Sequence, residues 1–305
     1  MTKNTTKALL LLLLITAIVV VISGCTSSSP SATVTPTAIT NGSATPTVAA
    51  NTSTNVTTQG PPSFKTIVPG ELLIPTDASF PPMEWLNTSA NGQAQFQGFD
   101  MDLMRAICEK LNVTPVFTAH DFSSIINDIQ TGKYDCSISS FSITPARQEE
   151  VSFSNPYFQV QQTIVVKAND SSIQNVTDIV DKNKVVAVEL GTTGQLAADN
   201  LTGTNGTKIN AMTNVLAEGS ADLSYTDLAS GKADAVIDDI EVNAYYVNTF
   251  PGSYKFVNYK FPTLEPYGIV VSQSNPQLLA AINWALAQLQ ADGTMNQLKQ
   301  KYGLE

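Results

Sequence analysis

The stretch SITPAR, Ser142 to Arg147, sets a cation in the first turn of a helix. Thr144 suits the N-cap and Pro145 the first helical position. Arg147 then stands third, where a positive charge opposes the helix macrodipole. The conflict eases if an anion lies between them, and a guanidinium grips a carboxylate through two parallel hydrogen bonds. The competing reading pairs Arg147 with Glu150 or with solvent. Further on, GTTGQ, Gly191 to Gln195, opens a helix after an apolar strand. Free N–H groups at a helix start accept an anion, although most such turns are only structural. Asp239 follows a third apolar run and either takes an ammonium or caps the helix beginning IEVNAYY. One cation, one helix start and one anion match a zwitterion, of which an α-amino acid is the obvious small example.

The elements that must position these groups are legible in outline. DIQTGKYDCSIS, from Asp128, is nearly repeated as DLASGKADAVID, from Asp227. Each phrase reads as a helix end, a glycine stop and a strand start. Two copies of one unit suggest two similar lobes with a site between them. In the first, strand LLIPT precedes helix GFDMDLMRAICEKLN, with Asp100 expected as its N-cap and Asn112 as its stop. Strand VTPVF, helix FSSIINDIQ and strand DCSIS follow, implying parallel βαβ units. In the second, KVVAVEL and ADAVID are strands; FQVQQ and NYKFPTLE are the two crossings; Asn275–Pro276 starts the closing helix. Ligands of open parallel sheets sit beyond the carboxyl ends of the strands. Those positions are Asp77 with Phe80; Ser139, Ser140, Ser142, Thr144 and Arg147; Glu189, Gly191, Thr192 and Thr193; and Asp238 and Asp239.

Lys3 and Lys7 precede an apolar run from Ala8 to Ile22, short for a membrane span and suited to a signal-peptide core. It ends in ISGC, which resembles the lipobox of exported lipoproteins, so Cys25 is expected to carry lipid after cleavage. Residues 26–62, rich in Thr, Ser, Ala and Pro, contain no charged or aromatic side chain and read as a disordered stalk. A coil of that length spans roughly 35 Å. The net charge of −10, without a basic run, argues against nucleic acid. One histidine and no C-x-x-C leave no basis for a zinc site or a His-based triad, and no cofactor is expected. Cys108 and Cys136 are either a pair or two buried thiols. His120 reads as solvent-exposed, and Tyr157, Trp85 and Trp284 as packing.

The ordered series GFDMDLMRAI, GKYDCSISSFSITPARQEEVSFSNPY, GTTGQ, GKADAVIDD and ALAQLQADGTMNQLKQKYG resembles extracellular solute-binding family 3, the polar amino acid receptors of ABC importers. The resemblance covers roughly Thr66 to Gly303. It implies an α/β, two-lobe fold of the periplasmic-binding type II, with lobes at 63–159 plus 264–305 and at 160–263. It also implies that Arg147 binds the ligand carboxylate, with Ser142 or Thr144 and the Thr193 N–H. Asp239 and the Ser140 carbonyl take the ammonium, and Phe80 and Phe122 sandwich the side chain. Asp77 and Glu189 face the side-chain end. Two carboxylates in a poorly hydrated pocket favour a cationic ligand, Arg, Lys, ornithine or His, with Gln as runner-up. The implied partners are that amino acid, an ABC permease, and the membrane through the lipid anchor. Two rival readings are a cyclohexadienyl or arogenate dehydratase-like enzyme, with Glu189 or Asp238 as its acid, and a ligand-binding sensor.

Overall fold

The computed structural model describes residues 60–304. The signal segment 1–25, Cys25 and the stalk up to residue 59 lie outside them. No helix among the described residues is long and apolar enough to cross a membrane.

The chain enters on β1 (Glu71–Thr76), where Leu72 and Ile74 are fully buried. A small antiparallel sheet follows, made of β2 (Ser79–Phe80), β3 (Glu84–Leu86) and β4 (Phe96–Gln97). Next come α1 (Phe99–Leu111), β5 (Thr114–Ala119), α2 (Phe122–Gln130), β6 (Cys136–Ser137), α3 (Pro145–Glu150) and β7 (Ser152–Phe153). β1 and β5 pair in parallel, as the β–α–β spacing predicts. The first crossing is β8 (Phe158–Val160). Beyond it lie β9 (Gln162–Lys167), α4 (Thr177–Asp181), β10 (Val186–Glu189), α5 (Thr193–Asp199), α6 (Ala211–Asn214) and β11 (Val215–Glu218). Then come α7 (Ala221–Ser230), β12 (Ala235–Asp239), α8 (Ile240–Thr249) and β13 (Tyr254–Lys260). The five strands of this half form one sheet in the order β11-β10-β12-β9-β13, with β10 parallel to both neighbours. The chain returns through β14 (Glu265–Tyr267) and β15 (Val270–Val271) to α9 (Pro276–Ala291) and α10 (Thr294–Tyr302). The two crossings are themselves a strand pair: β14 runs antiparallel to β8, with Glu265 opposite Val160.

The closing helix starts as its sequence predicts. Asn275 caps α9 by accepting the Leu278 N–H, with Pro276 at the first position. Its buried face carries Leu278, Ile282, Ala285 and Leu289. Two local expectations are corrected. β6 does not extend the parallel pair; it and β7 flank the returning β15 antiparallel. Asp100 does not cap α1. Gly98 takes that position at φ 126°, where a Cβ would lie 2.1 Å from the Met83 carbonyl oxygen. Asp100 turns inward and is fully buried. Cys108 and Cys136 are both buried free thiols.

The repeated phrase builds one device twice. Gly132 and Gly231 adopt positive φ just after α2 and α7. Lys133 pairs with Asp128 at 2.7 Å, and Lys232 with Asp227 at 2.7 Å. The following aspartate then clamps a neighbouring strand. Asp135 accepts the N–H groups of Ile67 and Leu73 at 2.8 Å each, and Asp234 accepts that of Val185 at 2.9 Å. Each copy therefore fixes where a strand begins, and so which side chains arrive at its far end, Asp77 after β1 and Glu189 at the end of β10.

Candidate ligand-binding site

All of the sequence candidates except Thr144 and Gly191 line a single cleft with about 340 Å³ of space, counting that open at its mouth. Thr144 is occupied locally, since its hydroxyl accepts the Arg147 N–H at 3.2 Å as the cap of α3. The cap aims Arg147 at the cleft. Its guanidinium donates to the Ser142 carbonyl at 2.8 Å and to the Gly191 carbonyl at 3.0 Å. It also stands 5.3 Å from the ring centroids of Phe122 and Phe141, themselves stacked at 4.4 Å. No carboxylate of the described residues reaches ion-pair distance of it, so the Glu150 pairing is not made. Burial lowers its pKa to about 10. A half-buried cation held by carbonyl dipoles and ring faces, with no ion-pair partner, has an unfilled place for an anion.

Ser142 donates to Glu265 on the crossing strand at 2.7 Å and lies 3.4 Å from the Thr193 hydroxyl. Thr193 opens α5, whose cap is Thr192 accepting the Gln195 N–H. On the opposite side, Asp239 ends β12. It stands at the N-cap position of α8, yet its side chain makes no cap bond. It accepts hydrogen bonds from Gln162 and from the Tyr267 hydroxyl. Burial, and then the charge of Asp238, hold its carboxyl well above the usual range.

The remaining wall is acidic. Asp77 is raised to about 6, chiefly by burial, although its Oδ2 accepts the Ser79 N–H at 3.1 Å and the Ser79 hydroxyl, and it lines the cleft together with Glu189. Glu189 is pushed well above the carboxylate range by burial and by Asp77, and its Oε1 has no partner among the described residues. Asp238 is raised to about 7 by burial, although the Tyr225 hydroxyl donates to it at 3.4 Å.

Three cleft residues escaped the sequence reading. Gly194, in the first turn of α5, sits where a Cβ would lie 3.0 Å from the Ile237 carbonyl oxygen, a tight contact that a side chain would have to push back. Gln162 is brought in by register, because it sits opposite Asp239 in the β9–β12 pair. Glu84 sits opposite Phe80 in the β2–β3 pair and so shares its face. Only the Pro81–Pro82 turn hinted at that hairpin. His120 also departs from expectation: it is half-buried, 2.6 Å from Asp128, edge-on to Tyr134. Trp85 stays outside this cleft and packs edge-on against Tyr302.

The acidic wall predicts an unusual stability profile. Asp77, Asp100 and Asp238 have folded pKa values of about 6 to 7, above their ordinary 3.8. The folded state therefore keeps protons that the unfolded chain releases, so this stability is full below pH 4 and is lost as pH rises to about 7. Surface carboxylates with lowered pKa, such as Asp292 at about 2, act only below that window. The melting temperature of the ligand-free protein is expected to fall from pH 4 to 7, and Glu189→Gln should flatten the fall. A melting temperature that rises across this range contradicts the assignment.

Two contacting halves, a paired crossing and a cleft between them define a two-lobed ligand-binding protein of the α/β class. The chain belongs to the bacterial extracellular solute-binding proteins, family 3, which it matches over residues 72–305. It is 30% identical over 241 residues to the lysine/arginine/ornithine-binding periplasmic protein of Escherichia coli K12, covering 77% of this chain and 88% of that protein. It is 30% identical over 229 residues to ABC transporter arginine-binding protein 1 of the same strain, covering 74% and 87%. An ancestral arginine-binding protein solved with arginine superposes with a TM-score of 0.68 at 36% identity, over 76% of this chain and 98% of that one.

Proposed function

We propose that this protein is the substrate-binding receptor of an ABC-type amino acid importer, taking a cationic L-amino acid between lobes at 63–159 plus 264–305 and 160–263. It is a carrier and not an enzyme. The observation that carries the reading is the half-buried Arg147, with no carboxylate partner among the described residues, in a cleft otherwise walled by acids. Arg147 takes the α-carboxylate, with the Ser142 hydroxyl and the Thr193 N–H beside it. Asp239 and the Ser140 carbonyl take the α-ammonium. Phe80 and Phe122 flank the side chain, and Asp77 and Glu189 receive its positive end.

Such a ligand answers the electrostatics from both directions. Its carboxylate satisfies the half-buried guanidinium, and its two cations displace protons from the raised carboxyls. It also touches both lobes at once, which biases the open–closed equilibrium toward closed. The closed form would dock on a permease while lipid on Cys25 keeps the receptor at the membrane's outer face. The names of the relatives, which specify arginine, lysine and ornithine, agree with this ligand class.

A thermal-shift panel of residues 63–305 against the common amino acids and ornithine tests the reading. A ligand at 100 times its dissociation constant adds about 2.7 kcal/mol to the folded state. Shifts confined to Arg, Lys, ornithine and His support it. A shift with Gln alone keeps a receptor and discards the charge argument. Absence of any shift removes the receptor reading and turns attention to dehydratase substrates.

A further inference from the structure

Glu84 is almost wholly buried at the head of β3, and it lines the cleft beside Phe80. No cation of the described residues pairs with it. Its donors are two hydroxyls, Ser139 at 2.8 Å to one oxygen and Ser140 at 3.3 Å to the other. Ser140 has one proton and lies equally 3.3 Å from Asp100, so at most one of the two acids receives it. A carboxylate accepts about four hydrogen bonds, which leaves Glu84 with open capacity toward the cleft. The Ser139 hydroxyl is meanwhile fixed in direction. It accepts the Asp77 N–H at 2.9 Å, so its own proton points to Glu84. Ser139 thereby ties Glu84 to the residue that faces the side-chain end.

A second observation points to a ligand. Glu189 closes the same end from the other lobe, is 5% exposed, and has a buried oxygen without a partner among the described residues. Glu84, Asp77 and Glu189 line the same cleft, and burial, then the charge of Asp100, with smaller contributions from Asp77 and Glu189, hold the Glu84 carboxyl well above its ordinary range. Glu84 and Glu189 have few internal donors, and on Asp77 the Ser79 N–H and hydroxyl both go to Oδ2; together they call for one group that donates in several directions. A guanidinium offers five N–H donors in a plane and is shed from water more readily than an ammonium.

We propose that Glu84 is a specificity-determining residue, completing with Asp77 and Glu189 a three-carboxylate seat that selects a guanidinium side chain over an ammonium or a neutral urea. The proposal rests on the cationic amino acid reading above and deepens it.

The experiment is calorimetric titration of wild type and Glu84→Gln with arginine, lysine and citrulline, the last keeping arginine's shape without its charge. Wild type should bind arginine at least tenfold tighter than the other two. Glu84→Gln should lose tenfold or more in arginine affinity while citrulline changes less than threefold. Equal losses for arginine and citrulline would mean that Glu84 only shapes Ser139 and Ser140, and would overturn the proposal; so would unchanged arginine affinity. If Glu84→Gln does not fold, Glu84→Asp keeps the charge but withdraws it, and should weaken arginine more than citrulline, with parity overturning the proposal. Wild type that binds no basic amino acid removes the cationic-ligand reading as well, whereas a wild type that binds arginine beside an unselective variant removes this proposal alone.

Discussion

Replacing Arg147 by alanine is expected to abolish useful amino acid affinity while leaving the fold intact. Truncating one partner of a buried, hydrogen-bonded charge pair costs about 2–5 kcal/mol, a loss of roughly 30- to 5,000-fold in affinity. The ligand-free protein should barely notice. Arg147 is a half-buried cation without an ion pair among the described residues, and its removal deletes a partly desolvated charge along with two bonds to carbonyls. Lysine is not expected to rescue, because it lacks the planar fork that meets both carboxylate oxygens. Agmatine, arginine without its carboxylate, supplies the internal control: the variant should bind it as well as wild type does. Calorimetry reads both ligands, and near-wild-type arginine affinity in the variant would falsify the carboxylate assignment.

Asp239→Asn is expected to produce the second large loss, of the same order, for ligands with an α-ammonium. Its effect on stability should run the other way. Asp239 is raised by burial and by Asp238 next to it, so a neutral amide relieves a like-charge conflict in the empty cleft. Of the two groups now bonded to its separate oxygens, the Gln162 amide can still donate to the asparagine oxygen, and the Tyr267 hydroxyl can turn to accept from the asparagine NH2. The melting temperature of the ligand-free variant should therefore equal or exceed that of wild type at pH 7. Arginine lacking its α-amino group should bind the two forms alike. A variant that loses stability and binding together would show Asp239 to be a structural residue.

These effects are separable because the cleft is a site of unresolved charge. Six carboxyls, Asp77, Glu84, Asp100, Glu189, Asp238 and Asp239, lie in or under it with raised pKa values, against one arginine. Packing alone does not ask for that arrangement, since each buried acid costs desolvation. Elsewhere the same residue types are used structurally. Asp135 and Asp234 anchor backbone N–H groups, and Asp102 takes Lys301 at 2.6 Å.

Much of the site was legible in the sequence, because the groups concerned follow strands, and strand ends are where such folds place ligands. SITPAR specified its own cap, and so the direction of Arg147. The repeated GKxD phrase marked two halves of one design. Local signals carry this information because capping, glycine stops and apolar alternation act over a few residues. Asp100 misled for the same reason: an aspartate before a helical run reads as a cap, yet a glycine forced by the nearby Met83 carbonyl holds that position. What the tertiary structure alone decided is pairing across distance. Register put Gln162 opposite Asp239 and Glu84 opposite Phe80, and no periodicity announces a register. The meeting of Asp77 with Glu189, far apart in the chain and on opposite lobes, depends on how two separately built halves close over one cleft. Sequence thus determined which groups stand at the ends of the strands. The packing of one half against the other decided which of them share a partner and an unfilled place.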